Sequence, residues 1–175
     1  AKEMGVEVVY QEFNQMPSLS VAENIYLTEL RGKRIVADQR EFERKAAELF
    51  KEMNLDLNPK VKVASLTNGY KQMVEIAKAI SKPTTKILIL DEPTRGIDVG
   101  SKEEIYHLIT ELARQGKAII MISSELPEVL GMSDRIMVMY EGRVMGELSA
   151  EEATQERVLA YSFGHTDAKQ EEGTI

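Results

Sequence analysis

Apolar and polar positions along this chain follow two periods, and the switches between them mark its elements. Val6 to Tyr10 (VEVVY) reads as a strand that ends at Gln11, with the loop EFNQMPS after it. Ser20, with Glu23 three residues on, has the spacing of a capping box for a short helix through Tyr26. Ala37 to Met53 places Phe42, Ala46, Leu49, Phe50 and Met53 on one face and charges on the other, which predicts an amphipathic helix ended by Asn58 and Pro59. Leu66 to Ile80 predicts another, with Met73, Ile76, Ala77 and Ile80 on its apolar face. Ile87 to Leu90 is a continuous apolar run, the pattern of a strand buried on both faces of a parallel sheet. Ser101 and Glu104 then offer a second capping box. Ile105, Leu108, Ile109 and Leu112 give that helix its face, and Gly116 closes it. His107 falls between these positions and reads as structural or exposed rather than as a ligand. Ala118 to Ile122 predicts a second buried strand, running into Ser123, Ser124 and Glu125, and Pro127 to Met132 a short helix. Arg135 to Tyr140 and Arg143 to Leu148 read as strands joined at Glu141-Gly142, a hairpin-type turn. Ser149 and Glu152 are placed to cap a last helix through Tyr161, and the polar stretch from His165 to Ile175 is expected to fray. Strands alternating with helices predict an α/β sheet, and the single hairpin predicts an antiparallel edge to it.

Composition narrows the reading. A length of 175 residues suggests one domain, with room for a sub-lobe. The net charge of -7 disfavours nucleic acid or an anionic membrane surface as a non-specific partner. There is no cysteine, hence no disulfide framework, and a reducing compartment is allowed. No apolar run approaches the ~20 residues that span a bilayer, so a membrane role has to come through a partner protein. No signal-peptide pattern is visible. The chain opens at Ala1 almost directly into a strand-like run, which hints at a fragment, although processing also removes a leading Met.

Candidate chemistry gathers at KILILDEPTRGIDVG, Lys86 to Gly100. The acids Asp91 and Glu92 follow the apolar run at the strand's carboxyl end, where open α/β sheets bind ligands. One carboxylate there can hold a hard cation and the next can act on a water or hydroxyl. Pro93 and Gly96 break the strand, and Asp98 is a third acid near the same place. Taken alone, an ordinary strand end with solvated acids accounts for this equally well. Thr67, Asn68 and Gly69 precede a helix, where free backbone N–H groups and the helix dipole favour an anion; by residue type alone, a plain helix cap accounts for them better. Gln11 alone reads as a loop amide.

The order of these pieces is more specific than any one of them. Strand–Gln11, LTNGY, LILDEP and GID stand in the order and spacing of the Q-loop, the signature segment (usually LSGGQ), Walker B and the D-loop. In this the chain resembles the nucleotide-binding domain of ABC transporters. The stretches YQEFNQMPSLSVAENIYL, KQMVEIAKAI, DEPTRGIDVGSKEEIYHLI, ISSELPEVLGMSDRIMVMYEGRV and EATQERVL are similar to ATPases of ribose- and galactose-type monosaccharide importers. Those importers usually carry two such modules. Residues up to about the early 80s resemble the first module, and DEPTRGIDVG and ISSELPE the second, as in a natural hybrid or an in-frame deletion between similar Walker B segments.

The resemblance implies a P-loop NTPase-like fold: a mostly parallel sheet flanked by helices, with a helical signature subdomain. Residues 1–164 would form a partial ABC ATPase domain, with the Q-loop and signature parts over about 12–82 and the Walker B, D-loop and switch parts over 83–164. It implies ATP and Mg2+, with Asp91 and Gln11 at the metal and Glu92 orienting or deprotonating the attacking water. Thr67, Asn68 and Gly69 would close on the γ-phosphate of a partner domain, and Asp98 would couple the two sites. Implied partners are a second ABC ATPase domain, membrane-spanning permease subunits and, indirectly, a periplasmic sugar-binding protein, with the chain peripheral on the cytoplasmic face of the cell membrane.

Three departures from the family pattern stand out. There is no G-x-x-x-x-G-K-[ST]: Gly32-Lys33 runs into Arg34, and Gly116-Lys117 into Ala118. The backbone cradle, its lysine and the strand before it are thus missing from these residues, and in the family that strand lies inside the sheet. The signature departs at Asn68 and Tyr70. Ser124 stands where most ABC ATPases have the switch histidine; serine can hydrogen-bond but cannot gain charge.

Overall fold

A computed structural model of the chain describes residues 4–27 and 39–165. They form two compact units, divided between Ile122 and Ser123. The expectations for Gly32 to Arg34, for the helix start at Ala37 and for the tail beyond His165 fall outside the described residues.

The first unit is built on three parallel strands, β1 (Val6–Val9), β2 (Ile87–Asp91) and β3 (Ala118–Ile122), in the order β1-β2-β3. Val9 lies opposite Leu90, and Asp91 opposite Ile122. The helices are α1 (Val21–Tyr26), α2 (Gln39–Glu52), α3 (Asn68–Ile80) and α4 (Val99–Arg114). α1 is fixed by the expected capping box: Ser20 Oγ accepts from Glu23 N–H, and Glu23 accepts from Ser20 N–H. The Ser20 hydroxyl and backbone N–H, in that order, hold the Glu23 carboxyl below its ordinary range. Phe42, Ala46, Leu49 and Phe50 of α2 are buried, and Phe42 stacks on Tyr26 with ring centroids 5.9 Å apart. Met73, Ile76 and Ala77 of α3 and all four predicted apolar positions of α4 are buried, and His107 is exposed.

Several boundaries differ from the sequence reading. α2 stops at Glu52, where Asn54 takes the left-handed conformation (φ 52°) five residues before Pro59. α4 is capped by Asp98, whose carboxylate accepts from Ser101 N–H at 3.0 Å, and not by Ser101 with Glu104. Aspartate reaches an N3 amide as well as serine does, so the helix begins earlier. Gly116, with φ 86°, does close it.

The strands are not buried on both faces. Leu88 and Leu90 are sealed under the helices, whereas Ile87 and Ile89 are only half-buried. In β3 the departure is larger: Ile120 and Ile122 are 52% and 51% exposed. β3 pairs only with β2 among the described residues, and α3 and α4 cover a single face of the sheet.

The second unit holds α5 (Leu126–Met132), β4 (Arg135–Tyr140), β5 (Arg143–Ser149) and α6 (Gln155–Ser162). β4 and β5 pair antiparallel through Glu141 and Gly142, both at positive φ as a type I′ turn needs. They form a sheet of their own rather than an edge of the parallel sheet. The reason lies in the side chains: Ile136, Val138 and Leu148 close a separate core with Val158 and Tyr161 of α6. Ser149 and Glu152 do bond to each other, but as a turn after β5; Thr154 caps α6 through Arg157 N–H.

Candidate functional site at the strand ends and the α3–α4 corner

The parallel register determines which residues share the carboxyl end of the sheet. With Val9 opposite Leu90, Gln11 and Glu92 each lie two residues beyond that pair, just past the ends of adjacent strands. Gln11 is exposed, and Asp91 and Glu92 are half-buried. Glu92 has φ 47°, a conformation that costs a non-glycine residue roughly 1–2 kcal/mol. Its N–H donates to the Ile122 carbonyl at 2.8 Å, so the backbone at the acid pair is tied to the end of β3. Asp91 and Glu92 therefore stand on consecutive residues with different backbone conformations, and their side chains are aimed separately.

Thr67, Asn68 and Gly69 start α3. Thr67 Oγ1 accepts from Tyr70 N–H at 3.4 Å, and Thr67 and Asn68 are exposed. Gly69 is buried against the first turn of α4: a Cβ there would overlap Ser101 Cβ and lie 2.7 Å from Ser101 Oγ. The glycine is thus required by close approach. It brings the start of α3 to the residue that Asp98 caps. The Ser101 N–H and hydroxyl, in that order, hold the exposed Asp98 carboxyl below its usual range. Ser124 is exposed and belongs to the second unit. Of the two Gly-Lys pairs, Lys117 is committed elsewhere, its Nζ donating to the Thr85 carbonyl at 2.7 Å.

The family profile described as "ABC transporter" matches residues 2–95 of this chain, more than half of it. The chain belongs to the ABC transporter family. The putative ribose/galactose/methyl galactoside import ATP-binding protein 1 of Rhizobium etli is 50% identical over 148 residues, which are 83% of this chain and 28% of that protein. The chain thus spans less than a third of the curated relatives it matches. Among solved structures, the ADP conformation of the ATP-binding cassette MJ1267 superposes with a TM-score of 0.74 at 21% identity, over 98% of this chain and 70% of that one. A dimeric cassette, MJ0796, bound to ADP and Pi, gives 0.66 at 26% identity, over 83% and 62%. The fold is that of an ABC ATPase cassette, a parallel sheet flanked by helices.

Within an ABC cassette, the two groups of residues described above have distinct chemistry. The strand-end group offers one amide and two carboxylates, all hard oxygen donors. Magnesium takes one or two such ligands and completes its shell with water and phosphate oxygens, so Asp91 and Gln11 suit it. No group of three His, Cys, Asp or Glu side chains that could hold a metal ion is found among the described residues. The α3–α4 corner offers a helix N-terminus with a hydroxyl and an amide. Sequence reasoning missed the tie between the loop after Gln11 and α3, where Gln15 Nε2 donates to the Lys71 carbonyl at 2.7 Å and Lys78 Nζ to the Asn14 carbonyl at 3.3 Å.

Proposed function

We propose that the chain is part of the ATP-hydrolysing subunit of an importer that energises monosaccharide uptake across the cytoplasmic membrane, on whose cytoplasmic face it acts as a peripheral subunit. The observation that carries this is the β1–β2 register, which sets Gln11 and the Asp91–Glu92 pair at neighbouring strand ends. The likeness to the Rhizobium etli protein, a putative sugar import ATP-binding protein, supports the same reading. Asp91 and Gln11 hold Mg2+, which when bound shields phosphate charge. Glu92 orients the attacking water and takes its proton as the water oxygen bonds to the γ-phosphorus and the β–γ bridge leaves with ADP. Thr67, Asn68 and Gly69 cover the γ-phosphate held by a second ATPase domain, and Asp98 orders the helix start beside them. Ser124 takes the switch position as a neutral hydrogen-bonding group. The exposed loop after Gln11 docks on membrane-spanning permease subunits, with the sugar-binding protein reached through them. Residues 12–82 serve as the Q-loop and signature part of the domain, and 83–164 as its Walker B, D-loop and switch part.

A second reading is favoured by the commitment of Lys117 to Thr85. In it the chain lends only its α3 cap to a partner's nucleotide and does not itself hydrolyse. Phosphate release by the chain joined to an upstream G-x-x-x-x-G-K-[ST] segment separates the two. The enzyme reading expects magnesium-dependent turnover that Asp91→Asn shifts to higher magnesium. The second reading expects no phosphate release from the joined chain alone, and release by an added partner ATPase domain that depends on Thr67 to Gly69 but not on Asp91.

A further inference from the structure

Asn68 is the one asparagine in this chain that is followed by glycine. The side-chain amide of an asparagine can be attacked by the backbone nitrogen of the next residue. The attack is easiest where that residue has no Cβ to obstruct it and leaves the backbone free to turn. Gly69 is not a replaceable neighbour, because a Cβ there would overlap Ser101 of α4. The close packing of α3 on α4 therefore imposes a labile dipeptide, and Asn68 itself is exposed to water.

The helix start holds this pair loosely. Thr67 is the N-cap of α3, so the Asn68 and Gly69 N–H groups belong to the first turn, whose amides have no intrahelical acceptor. Thr67 Oγ1 takes the Tyr70 N–H at 3.4 Å, and the first helical bond runs from the Lys71 N–H to the Thr67 carbonyl. The reactive geometry asks Asn68 to leave the helical conformation, which costs least at a helix end. Each of the other asparagines is held back. Asn24 Nδ2 donates to the Met16 and Ser20 carbonyls. The Leu55 N–H that would attack Asn54 donates to the Phe50 carbonyl at 2.8 Å. Asn58 precedes Pro59, whose nitrogen carries no proton. Asn14 precedes Gln15, whose side chain is tied to the Lys71 carbonyl.

We propose that Asn68–Gly69 is a self-modifying site that converts the start of α3 from neutral to anionic. The Gly69 nitrogen bonds to Asn68 Cγ, the Cγ–Nδ2 bond breaks, and ammonia leaves with the Gly69 proton, closing a succinimide ring. Water then opens the ring. Added at Cγ it gives aspartate, added at the Asn68 backbone carbonyl carbon it gives isoaspartate, and in both cases the new acid releases its proton to solvent. The fold accepts the first product, because the helix dipole favours a carboxylate at a helix N-terminus. The second lengthens the main chain between Asn68 and Gly69, where the contact with Ser101 leaves no room. The consequence for function rests on the reading of Thr67 to Gly69 as the cover of a partner's γ-phosphate: a carboxylate added there repels that phosphate.

The test is ageing of the folded chain as it stands, without nucleotide, at mildly alkaline pH, followed by isoelectric focusing and peptide mapping by mass. In the wild type the net charge of -7 should become one unit more negative, and the change should map to Asn68 before any other asparagine is altered. Asn68→Gln keeps an amide but needs a larger, slower-forming ring, so it should keep its charge. No acid shift in the folded wild type, an equal shift in Asn68→Gln, or a first change at another asparagine overturns the proposal. Asn68→Asp, which carries the added carboxylate from the outset, should lose the support that the chain gives to phosphate release by a partner ATPase domain. If the acid shift maps to Asn68 and Asn68→Asp still supports that release, the modification site stands and the nucleotide-site reading of Thr67 to Gly69 is what fails.

Discussion

Glu92 pays a backbone penalty that its neighbour Asp91 does not. A left-handed glutamate persists only where its surroundings impose it, and such residues concentrate at functional sites. Here the imposing group is the Ile122 carbonyl, which takes the Glu92 N–H. The acid pair's place at the strand's end was legible from sequence, because two carboxylates directly after an apolar run mark where a buried strand stops; Asp91 is its last residue. Which carboxylate does what was not legible, since that follows from the turn in the backbone. If Glu92 accepts the proton of the attacking water, Glu92→Gln should keep nucleotide binding and lose hydrolysis by roughly 10²–10⁴-fold, the usual worth of a general base. Phosphate release measured beside nucleotide binding, in the chain joined to an upstream phosphate-binding segment, checks this. Near wild-type hydrolysis in Glu92→Gln would leave the pair a structural role only. The loop after Gln11 shows the opposite side of sequence reading: its ties to α3, Gln15 to the Lys71 carbonyl and Lys78 to the Asn14 carbonyl, join residues 56 and 64 positions apart.

At the level of elements, the sequence pattern located every strand and α-helix among the described residues but not the 3-10 turn at Val63–Ser65, and the helix ends were less well placed. Ser101 with Glu104 and Ser149 with Glu152 both fit the capping-box spacing, yet Asp98 and Thr154 are the caps. A capping box needs only two residues at the right separation, and several candidates within one turn compete for the same amides. The face of the sheet was misjudged for a different reason. A continuous apolar run says that both faces can be covered, not that both are, and α3 and α4 supply only one layer. The Gly69–Ser101 contact could not be read from sequence either, because it joins helices that are distant in the chain. It makes a sharp prediction. Gly69→Ala should destabilise the first unit by about 1–3 kcal/mol through overpacking, despite alanine's better helix propensity. Ser101→Gly removes the opposing Cβ, so the double variant should recover much of the loss beyond additivity. Denaturant unfolding of both singles and the double measures this coupling; strictly additive effects would mean that the two helices do not meet at this point.

The two units divide the family's parts unevenly. The first unit carries Gln11, Thr67 to Gly69, Asp91, Glu92 and Asp98; the second carries Ser124 and a hairpin core of its own. All the groups proposed to act on water, metal and a partner's phosphate are thus present in the described residues, but none of them grips the phosphates of the chain's own nucleotide. In phosphoryl transfer most of the binding comes from a backbone cradle and its lysine, and the rest of the site orients. Neither Gly-Lys pair fits that role. Gly116 is the left-handed stop of α4, and Lys117 is spent on the Thr85 carbonyl. The 175 residues by themselves should therefore bind magnesium ATP no more tightly than about millimolar, worth roughly 4 kcal/mol. Joining a G-x-x-x-x-G-K-[ST] segment upstream should tighten binding by two or more orders of magnitude, and Lys117→Ala should leave both affinities unchanged. Titration calorimetry on the three proteins reads these differences directly. Micromolar affinity in the unextended chain would show that the strand ends and the α3 cap grip phosphate on their own, and the division of labour argued above would have to be redrawn around them.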